Sequence, residues 1–365
     1  MLTESKAWGA LRRALPLLDA AATPHGVDRY LELVAPTWSS AEVRGRVQEA
    51  RRQTPDTVTL RIEANRNWRG FEAGQYVELT VEIDGVRHTR CYSMASCPGS
   101  GRTFELTVKA QPGGVVSPYL VARAKPGLVV GLSQAGGTFT LPDRRPGRTL
   151  LISGGSGITP VLSMLRTLCD EGHGDPVTFV HYARTSADMT YRRELAALAQ
   201  QCPNVRLVSI FTEEPGAGDL DGLACTAQLD AIDPAWREAQ TFLCGPAPLM
   251  EALGEIYRQA SVSAQLHTEA FTLAQFVAEV GDVGGTIRFR SGPTVLESDG
   301  TPLLAQAEAA GLRPASGCRM GICHTCACRL KAGMVRNVVT GELSEAGDTI
   351  RICVSAPVGD VDVDV

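Results

Sequence analysis

The chain has 365 residues, 44% hydrophobic and 21% charged, with a formal net charge of −5 at pH 7. That composition excludes a disordered or fibrous protein, and the length suggests two or three domains. No basic block offers the positive footprint of a nucleic-acid binder, and no run reaches the roughly 18 apolar residues of a membrane span.

Residues 1–40 read as an N-terminal helical extension. Trp8, Leu11, Leu15 and Leu18 recur at helical spacing and end at the breaker run Thr23-Pro24-His25-Gly26. The expectation is a helix packed on the body, with a helix docking peripherally on a membrane or partner as the alternative. Arg12, Arg13 and Asp19 interrupt the apolar patch, so no signal-peptide core is expected.

Residues 41–146 alternate in short runs: Val43–Val47, Val58–Ile62, Tyr76–Ile83, Phe104–Val108 and Leu128–Leu132. Turn clusters separate them at regular spacing, which predicts a small antiparallel β-barrel or sandwich. Residues 147–270 change character. Strands at Thr149–Ile152, Val177–Tyr182, Val205–Ile210 and Thr241–Cys244 alternate with helices at Pro160–Asp170, Tyr191–Gln200 and Pro248–Ala260. That alternation predicts an α/β domain with a doubly wound parallel sheet. Residues 271–283 read as a linker. Residues 284–365 hold short strands at Thr286–Phe289 and Thr294–Glu297, a helix at Pro302–Ala310 and a cysteine-rich loop, an α+β pattern. The closing run Asp360-Val361-Asp362-Val363-Asp364-Val365 is expected to be a solvated end.

Eleven cysteines are present, an odd number with six scattered through the first 244 residues. A secreted disulfide framework would be short, even and denser, so a reduced cytoplasmic protein is expected. Cys318, Cys323 and Cys326 form C-x4-C-x2-C, and Cys353 follows 27 residues later. This is the spacing of plant-type 2Fe–2S ligands, four thiolates around iron. Gly317 and Gly321 suit a loop that wraps a cluster closely. A zinc site using Cys328 or His324 is the competing reading, but the stretch lacks two C-x2-C elements across a long spacer. Residues 284–365 resemble a plant-type ferredoxin domain, which implies a β-grasp-like fold.

The turn Gly154-Gly155-Ser156-Gly157-Ile158-Thr159-Pro160 follows a strand and opens a helix, where backbone N–H groups attract phosphate oxygens. Pro160 stands where the usual dinucleotide fingerprint has its third glycine. Cys244-Gly245-Pro246 ends the last central strand, where open α/β sheets place ligands. The two motifs together resemble the nicotinamide domain of the ferredoxin–NADP reductase family. The resemblance implies that Gly155, Gly157, Ile158, Thr159, Pro160, Gly245 and Pro246 line the nicotinamide site and that Cys244 lies beside the hydride path. Taken alone, Cys244 reads as a buried structural thiol.

Arg90-Cys91-Tyr92-Ser93, preceded by Ala73–Val77 and followed by Gly113-Gly114-Val115-Val116-Ser117, resembles the flavin barrel of the same family. The resemblance implies that Arg90 pairs with flavin phosphate, Tyr92 packs on the flavin and Ser93 reaches the ring nitrogen that receives hydride. It also gives Val115, Val116 and Ser117 backbone contacts to pyrophosphate, and sets Glu269 and Phe271 beside the flavin.

The domain order fits the reductase components of multicomponent oxygenases, hydroxylases and desaturases. The N-terminal extension is similar to those of reductases serving membrane fatty-acyl desaturases. The implied activity is hydride transfer from NAD(P)H to a flavin, FAD with FMN as the alternative, then single-electron transfer through the 2Fe–2S cluster to a separate acceptor protein. A flavin must lie between the other two, because a nicotinamide gives two electrons as hydride and the cluster takes one at a time. Residues 281–365 carry ten acidic and eight basic residues, too balanced to name a partner by steering. Arg184 and Ser186, with Tyr191 further on, follow the second parallel strand and suit the 2′-phosphate of NADPH. The bland reading is that Arg184 simply faces solvent, Leu223 stands where some phosphate-binding relatives carry a further arginine, and NADH is the alternative donor. A redox-sensing regulatory protein and a free-standing flavin or quinone reductase are the competing functions.

Overall fold

The structure is a computed structural model that describes residues 27–271, 285–290, 295–317, 319, 321, 324–338 and 340–365. The expected helix over Trp8–Leu18, the linker centre, Cys318 and Cys323 lie outside the described residues. Helix α1 (Val27–Val34) is the first described element. Asp28 on α1 accepts hydrogen bonds from the Ser39 hydroxyl and the Ser40 N–H. Among the described residues, no helix is long and apolar enough to cross a membrane.

Seven elements then build the first sheet region. They are β1 (Val43–Thr54), β2 (Thr57–Ala64), β3 (Tyr76–Ile83), β4 (Val86–Ser93), β5 (Thr103–Lys109), α2 (Val116–Arg123) and β6 (Val129–Leu132). The six strands pair antiparallel in the order β4-β3-β6-β1-β2-β5. Beyond β4, Met94 bridges Leu106 and the Ala95 N–H donates to the Glu105 carbonyl, so the two edge strands meet and the sheet curls toward a barrel. Alternation drives this. Leu60 faces Leu106 and Ile62 faces Phe104 across the β2–β5 ladder, and all four are buried inside. Trp68 stacks on Phe104 with ring centroids 5.0 Å apart. Neither β4 as a full strand nor α2 is apparent in the sequence pattern.

The second sheet is parallel where its pairings are defined. Its elements are β7 (Thr149–Gly154), α3 (Ile158–Asp170), β8 (Val177–Ala183), α4 (Arg192–Gln201), β9 (Val205–Phe211), β10 (Leu220–Asp221), α5 (Thr226–Ile232), β11 (Gln240–Cys244), α6 (Ala247–Gln259) and β12 (Leu266–Glu269). The strand order is β10-β9-β8-β7-β11-β12. Every residue of β7 and β8 is buried, as expected for central strands covered on both faces. The chain steps from β7 outward through β8 to β9, then returns to β11 on the other side of β7. That reversal makes the carboxyl ends of β7 and β11 a topological switch point, the usual ligand crevice of such sheets.

The third sheet comprises β13 (Thr286–Phe289), β14 (Val295–Glu297), β15 (Ala327–Asn337), β16 (Leu343–Glu345) and β18 (Ser355–Val363), ordered β14-β13-β18-β15-β16. Strand β17 (Thr349–Arg351) pairs with β15, and helix α7 (Leu303–Ala309) buries Leu303, Leu304 and Ala307 in the same core. The fold is thus an antiparallel barrel-like sheet, a doubly wound α/β sheet and an α+β domain in succession. The expected solvated tail is corrected: β18 lies centrally, parallel to β13 and antiparallel to β15. Val361 and Val363 point into the core. Asp360 accepts from the Thr286 N–H, and Asp362 and Asp364 pair with Arg290 and Lys331. The period-two pattern was a strand signal, with charges on the wet face.

The chain divides into two compact units. The first comprises Met1–Gly245 with Ala252–Thr268; the second comprises Pro246–Glu251 with Glu269–Val365. Apart from Glu269 at the end of β12, both the barrel-like and the parallel sheet belong to the first unit.

Candidate functional site: two phosphate cradles and a cysteine loop

The first cradle lies at the switch point. Gly154 ends β7, a short turn over Gly155–Gly157 follows, and α3 starts at Ile158. Gly155 has φ +53°, a left-handed conformation that glycine adopts without strain. Gly157 is required for a different reason. A Cβ there would lie 2.2 Å from the Cys244 carbonyl oxygen and 2.8 Å from the Gly245 nitrogen. The structure thereby packs the glycine turn directly on Cys244-Gly245. No side chain caps the first turn of α3. The Ile158 N–H is held by the Gly155 and Ser156 carbonyls and Pro160 has none, so the glycine turn itself, set at this helix start, is the backbone that fits the phosphates of a dinucleotide. Ile158, Thr159 and Pro160 are buried in that first turn. Cys244 is fully buried, so its end of β11 offers backbone to the turn. Pro246 immediately precedes α6.

Beneath this turn lies a histidine that sequence reasoning missed. His181 on β8 pairs in register with Ser153 on β7, and its Nδ1 is 2.8 Å from the Ser153 hydroxyl. Its Nε2 is buried without a hydrogen-bond partner. Burial, aided by the positive charge of Lys109, pulls its pKa down to about 4. His181 is therefore neutral at pH 7. Within the apolar strand run it carried no sequence signal.

At the carboxyl end of β8, Arg184 is largely exposed, and its nearest charged partner is Asp188 at 3.4 Å. The Ser186 N–H donates to the Glu214 carboxylate at 2.6 Å, and that bond holds the Glu214 pKa below the usual carboxylate range. Two acids thus stand beside the residues expected to meet a 2′-phosphate.

Tyr191 is a correction. Its side chain is not at that rim but buried between the first two sheets. Its hydroxyl hydrogen-bonds those of Thr59 and Thr107 in the barrel, and the Arg166 guanidinium lies 5.3 Å from its ring centroid. Its φ of +62° turns the chain sharply into α4 and aims the ring inward. Arg166, on α3, donates to the Ala95 carbonyl at 2.6 Å, to Glu105 at 3.1 Å and to Glu194 at 2.7 Å. Two helices of the α/β sheet, strand β5 and the segment just past β4 meet on this one cation. Its sequence setting, Met164-Leu165-Arg166-Thr167-Leu168, gave no hint of the role.

The second cradle is in the barrel. Arg90, Tyr92 and Ser93 close β4, opposite Leu79, Val77 and Tyr76 of β3. Tyr92 packs against the barrel core, and burial pushes its phenol well up, so it stays neutral. Ser93 is buried, and one Arg90 nitrogen donates to the Thr89 carbonyl at 2.7 Å. Gly113, with φ +73°, leads into α2, whose first turn has no side-chain cap. Val116 is buried, so it can offer a ligand only its backbone, as can the exposed Val115. The Ser117 hydroxyl accepts from the Gln111 N–H at 3.1 Å and shapes the loop. An uncapped helix start behind a glycine pair fits a pyrophosphate. Glu269 ends β12 and Phe271 follows two residues on; both belong to the second unit.

In that second unit, Cys326 and Cys353 are buried in the core. The Ile352 N–H donates to the Cys326 carbonyl at 3.3 Å, which sets the two cysteine segments side by side. Around the loop, Arg319, Gly321 and His324 all have φ between +58° and +75°. A Cβ on Gly321 would lie 2.8 Å from the Val354 side chain. Arg351 donates to the Gly321 carbonyl, and Arg319 forms a bidentate pair with Glu308. Two buried thiols under a tightly coiled loop fit a thiolate-held cluster. Cys328 packs against the core, where burial pushes its thiol up to about 11.

Comparison with known proteins agrees with this geometry. Residues 44–141 match the oxidoreductase FAD-binding domain, residues 151–255 the oxidoreductase NAD-binding domain, and residues 289–358 the 2Fe–2S iron–sulfur cluster binding domain. An NADPH oxidoreductase of Mycobacterium tuberculosis is 40% identical over 98% of this chain and 93% of its own length. The glycine betaine monooxygenase reductase subunit of Pseudomonas aeruginosa is 32% identical over 90% of this chain and 96% of that protein. The solved structure of phthalate dioxygenase reductase shares the fold with a TM-score of 0.60 at 23% identity, covering 88% of this chain and 97% of that one. The chain therefore binds FAD, NAD(P)H and a 2Fe–2S cluster, and belongs to the ferredoxin–NADP reductase family of NAD(P)H oxidoreductases with a fused ferredoxin domain, the family of oxygenase reductase components.

Proposed function

We propose that this chain is the reductase component of a multicomponent oxygenase, hydroxylase or desaturase and delivers electrons from NAD(P)H to that separate protein. One observation carries the reading: an FAD domain, an NAD domain and a 2Fe–2S domain follow one another in a single chain whose relatives include a monooxygenase reductase subunit. The bound FAD supplies the conversion between two-electron hydride chemistry and the one-electron chemistry of the cluster. The protein's part is binding and orientation. The uncapped start of α2 and the glycine turn before α3 would present backbone N–H groups to the two pyrophosphates, and Arg90 would add a charge-assisted contact to the flavin phosphate. Tyr92 would pack on the flavin, and the Ser93 hydroxyl would offer it a hydrogen bond. Gly157 keeps the nicotinamide turn against β11. Cys318, Cys323, Cys326 and Cys353 hold the cluster.

NADPH is the proposed donor, supported by the 40% identical NADPH oxidoreductase more than by Arg184, which faces solvent at the carboxyl end of β8 beside the half-buried Ser186. Asp188 and Glu214 beside them limit its advantage over NADH.

Anaerobic addition of NADPH or NADH to the purified holoprotein tests the function. Flavin and cluster absorbance should both bleach within the turnover time, and cytochrome c should be reduced in steady state. If neither nicotinamide reduces the bound groups at a catalytic rate, the reductase reading fails in favour of a sensor.

A further inference from the structure

We propose that Cys169 and Cys202 form a reversible dithiol–disulfide site on the nicotinamide domain, at the sheet edge opposite its glycine turn. The topology places them together. The connections β7–α3–β8 and β8–α4–β9 step in the same direction across the sheet. Right-handed crossovers therefore put α3 and α4 on one face, both running back toward the amino-terminal edge of the strands. Cys169 is the penultimate residue of α3, and Cys202 directly follows the last residue of α4. At about 1.5 Å per residue, the 13-residue α3 sets Cys169 nearly 20 Å from the turn at its other end.

The loops beyond the two helices are clasped to each other. The Asn204 side chain donates to the carbonyls of His173 at 2.9 Å and Asp175 at 2.7 Å. On either side the backbone is tied. The Gly172 N–H bonds the Cys169 carbonyl, and the Val205 N–H bonds that of Cys202. The two thiols lie within this clasp, close enough for Cys202 to perturb the titration of Cys169. Both are partly exposed and free of other bonds to sulfur. Burial and the neighbouring thiol push Cys169 up to about 12.

The chemistry balances with hydrogen peroxide as oxidant. One sulfur attacks a peroxide oxygen, the O–O bond breaks, and a sulfenic acid and water form. The second sulfur then displaces the hydroxyl as a second water while the S–S bond forms. Both thiol protons leave in the waters, and two electrons pass to the peroxide. A dithiol reductant returns two electrons and two protons.

The experiment treats the holoprotein with one to two equivalents of hydrogen peroxide while the cluster absorbance is followed. Remaining thiols are then alkylated and non-reduced peptides are read by mass spectrometry. The expected product is a Cys169–Cys202 linked peptide, 2 Da lighter than the two thiol peptides, which dithiothreitol abolishes. Cys225 is exposed and should remain alkylatable. NAD(P)H–ferricyanide activity should persist, because the link is remote from the turn. In Cys202→Ser, Cys169 should be recovered alkylated or oxidised singly. Recovery of Cys169 and Cys202 from the wild type only as separate alkylated or over-oxidised peptides, or linked to other cysteines, would overturn the proposal.

Discussion

Replacing Arg166 by Met keeps the aliphatic stem and removes the cation on which barrel and α/β sheet meet. The side chain is 14% exposed, against 18% for Glu105 and 33% for Glu194. Removing one member of a buried ion pair costs about 3–5 kcal/mol, chiefly from the charge left behind. Glu105 retains Arg51 at 3.4 Å, and Glu194 is one-third exposed, so solvent screening reduces that figure. Loss of the Ala95 carbonyl bond and of the contact with the Tyr191 ring partly restores it. A net cost of about 2–4 kcal/mol follows, equivalent to a fall in Tm of roughly 5–15 °C for a unit of this size. Tyr191→Phe should cost less, about 0.5–1.5 kcal/mol, because Thr59 and Thr107 still bond each other at 2.9 Å. Circular-dichroism melts of Arg166→Met, of Tyr191→Leu, which removes the ring itself, and of that double mutant close a cycle. A coupling of about 0.5–1 kcal/mol between Arg166 and the Tyr191 ring is expected. If Arg166→Met melts within experimental error of wild type, the cation does not hold the two sheets together.

Four further outcomes can be measured. Gly157→Ala should raise the KM for NAD(P)H at least about tenfold with FAD absorbance retained, since its Cβ would strike the Cys244 carbonyl; an unchanged KM would count against the proposed cradle. His181 titrates near 6.5 when unfolded but only near 4 when folded, so its contribution is complete above pH 6.5 and lost as pH falls toward 4. Urea unfolding should show about 3 kcal/mol of that loss in wild type but not in His181→Asn. Glu214→Gln should raise the NADPH-to-NADH ratio of kcat/KM several-fold by removing a negative charge beside a 2′-phosphate, whereas Arg184→Ala should lower it. Cys326→Ser should erase the cluster's charge-transfer absorption and cytochrome c reduction while leaving flavin reduction by NAD(P)H; persistent charge-transfer bands would remove Cys326 from the ligand set.

The three-layer order was legible because each layer writes a different period. Leu60 and Ile62 alternate, Leu150–Ile152 run unbroken, and the cysteines stand at a spacing that local chain geometry dictates. Motifs of contiguous residues were equally legible, as in Gly154–Pro160 and Arg90–Ser93. What escaped were features settled by distant partners. Tyr191 looked like a rim residue because its neighbours Arg184 and Ser186 are at the rim, yet its φ of +62° turns it inward. Arg166 and His181 gain their roles from Glu105, Glu194 and Ser153, none close to them in sequence. The Asp-Val tail misled in another way: its charges suggested a loose end, while its alternation marked a strand.

That strand also bears on the order in which the cluster domain is made. Because β18 lies between β13 and β15, the third sheet cannot close until the ribosome has passed residue 363. All four cysteines of the motif precede β18 in the chain. The upstream sheets depend on no residue of β18 and can fold earlier. Iron and sulfide would therefore meet their thiols during the last stage of domain assembly, and a truncation that spares every cysteine but removes β18 should still yield a protein without a stable cluster.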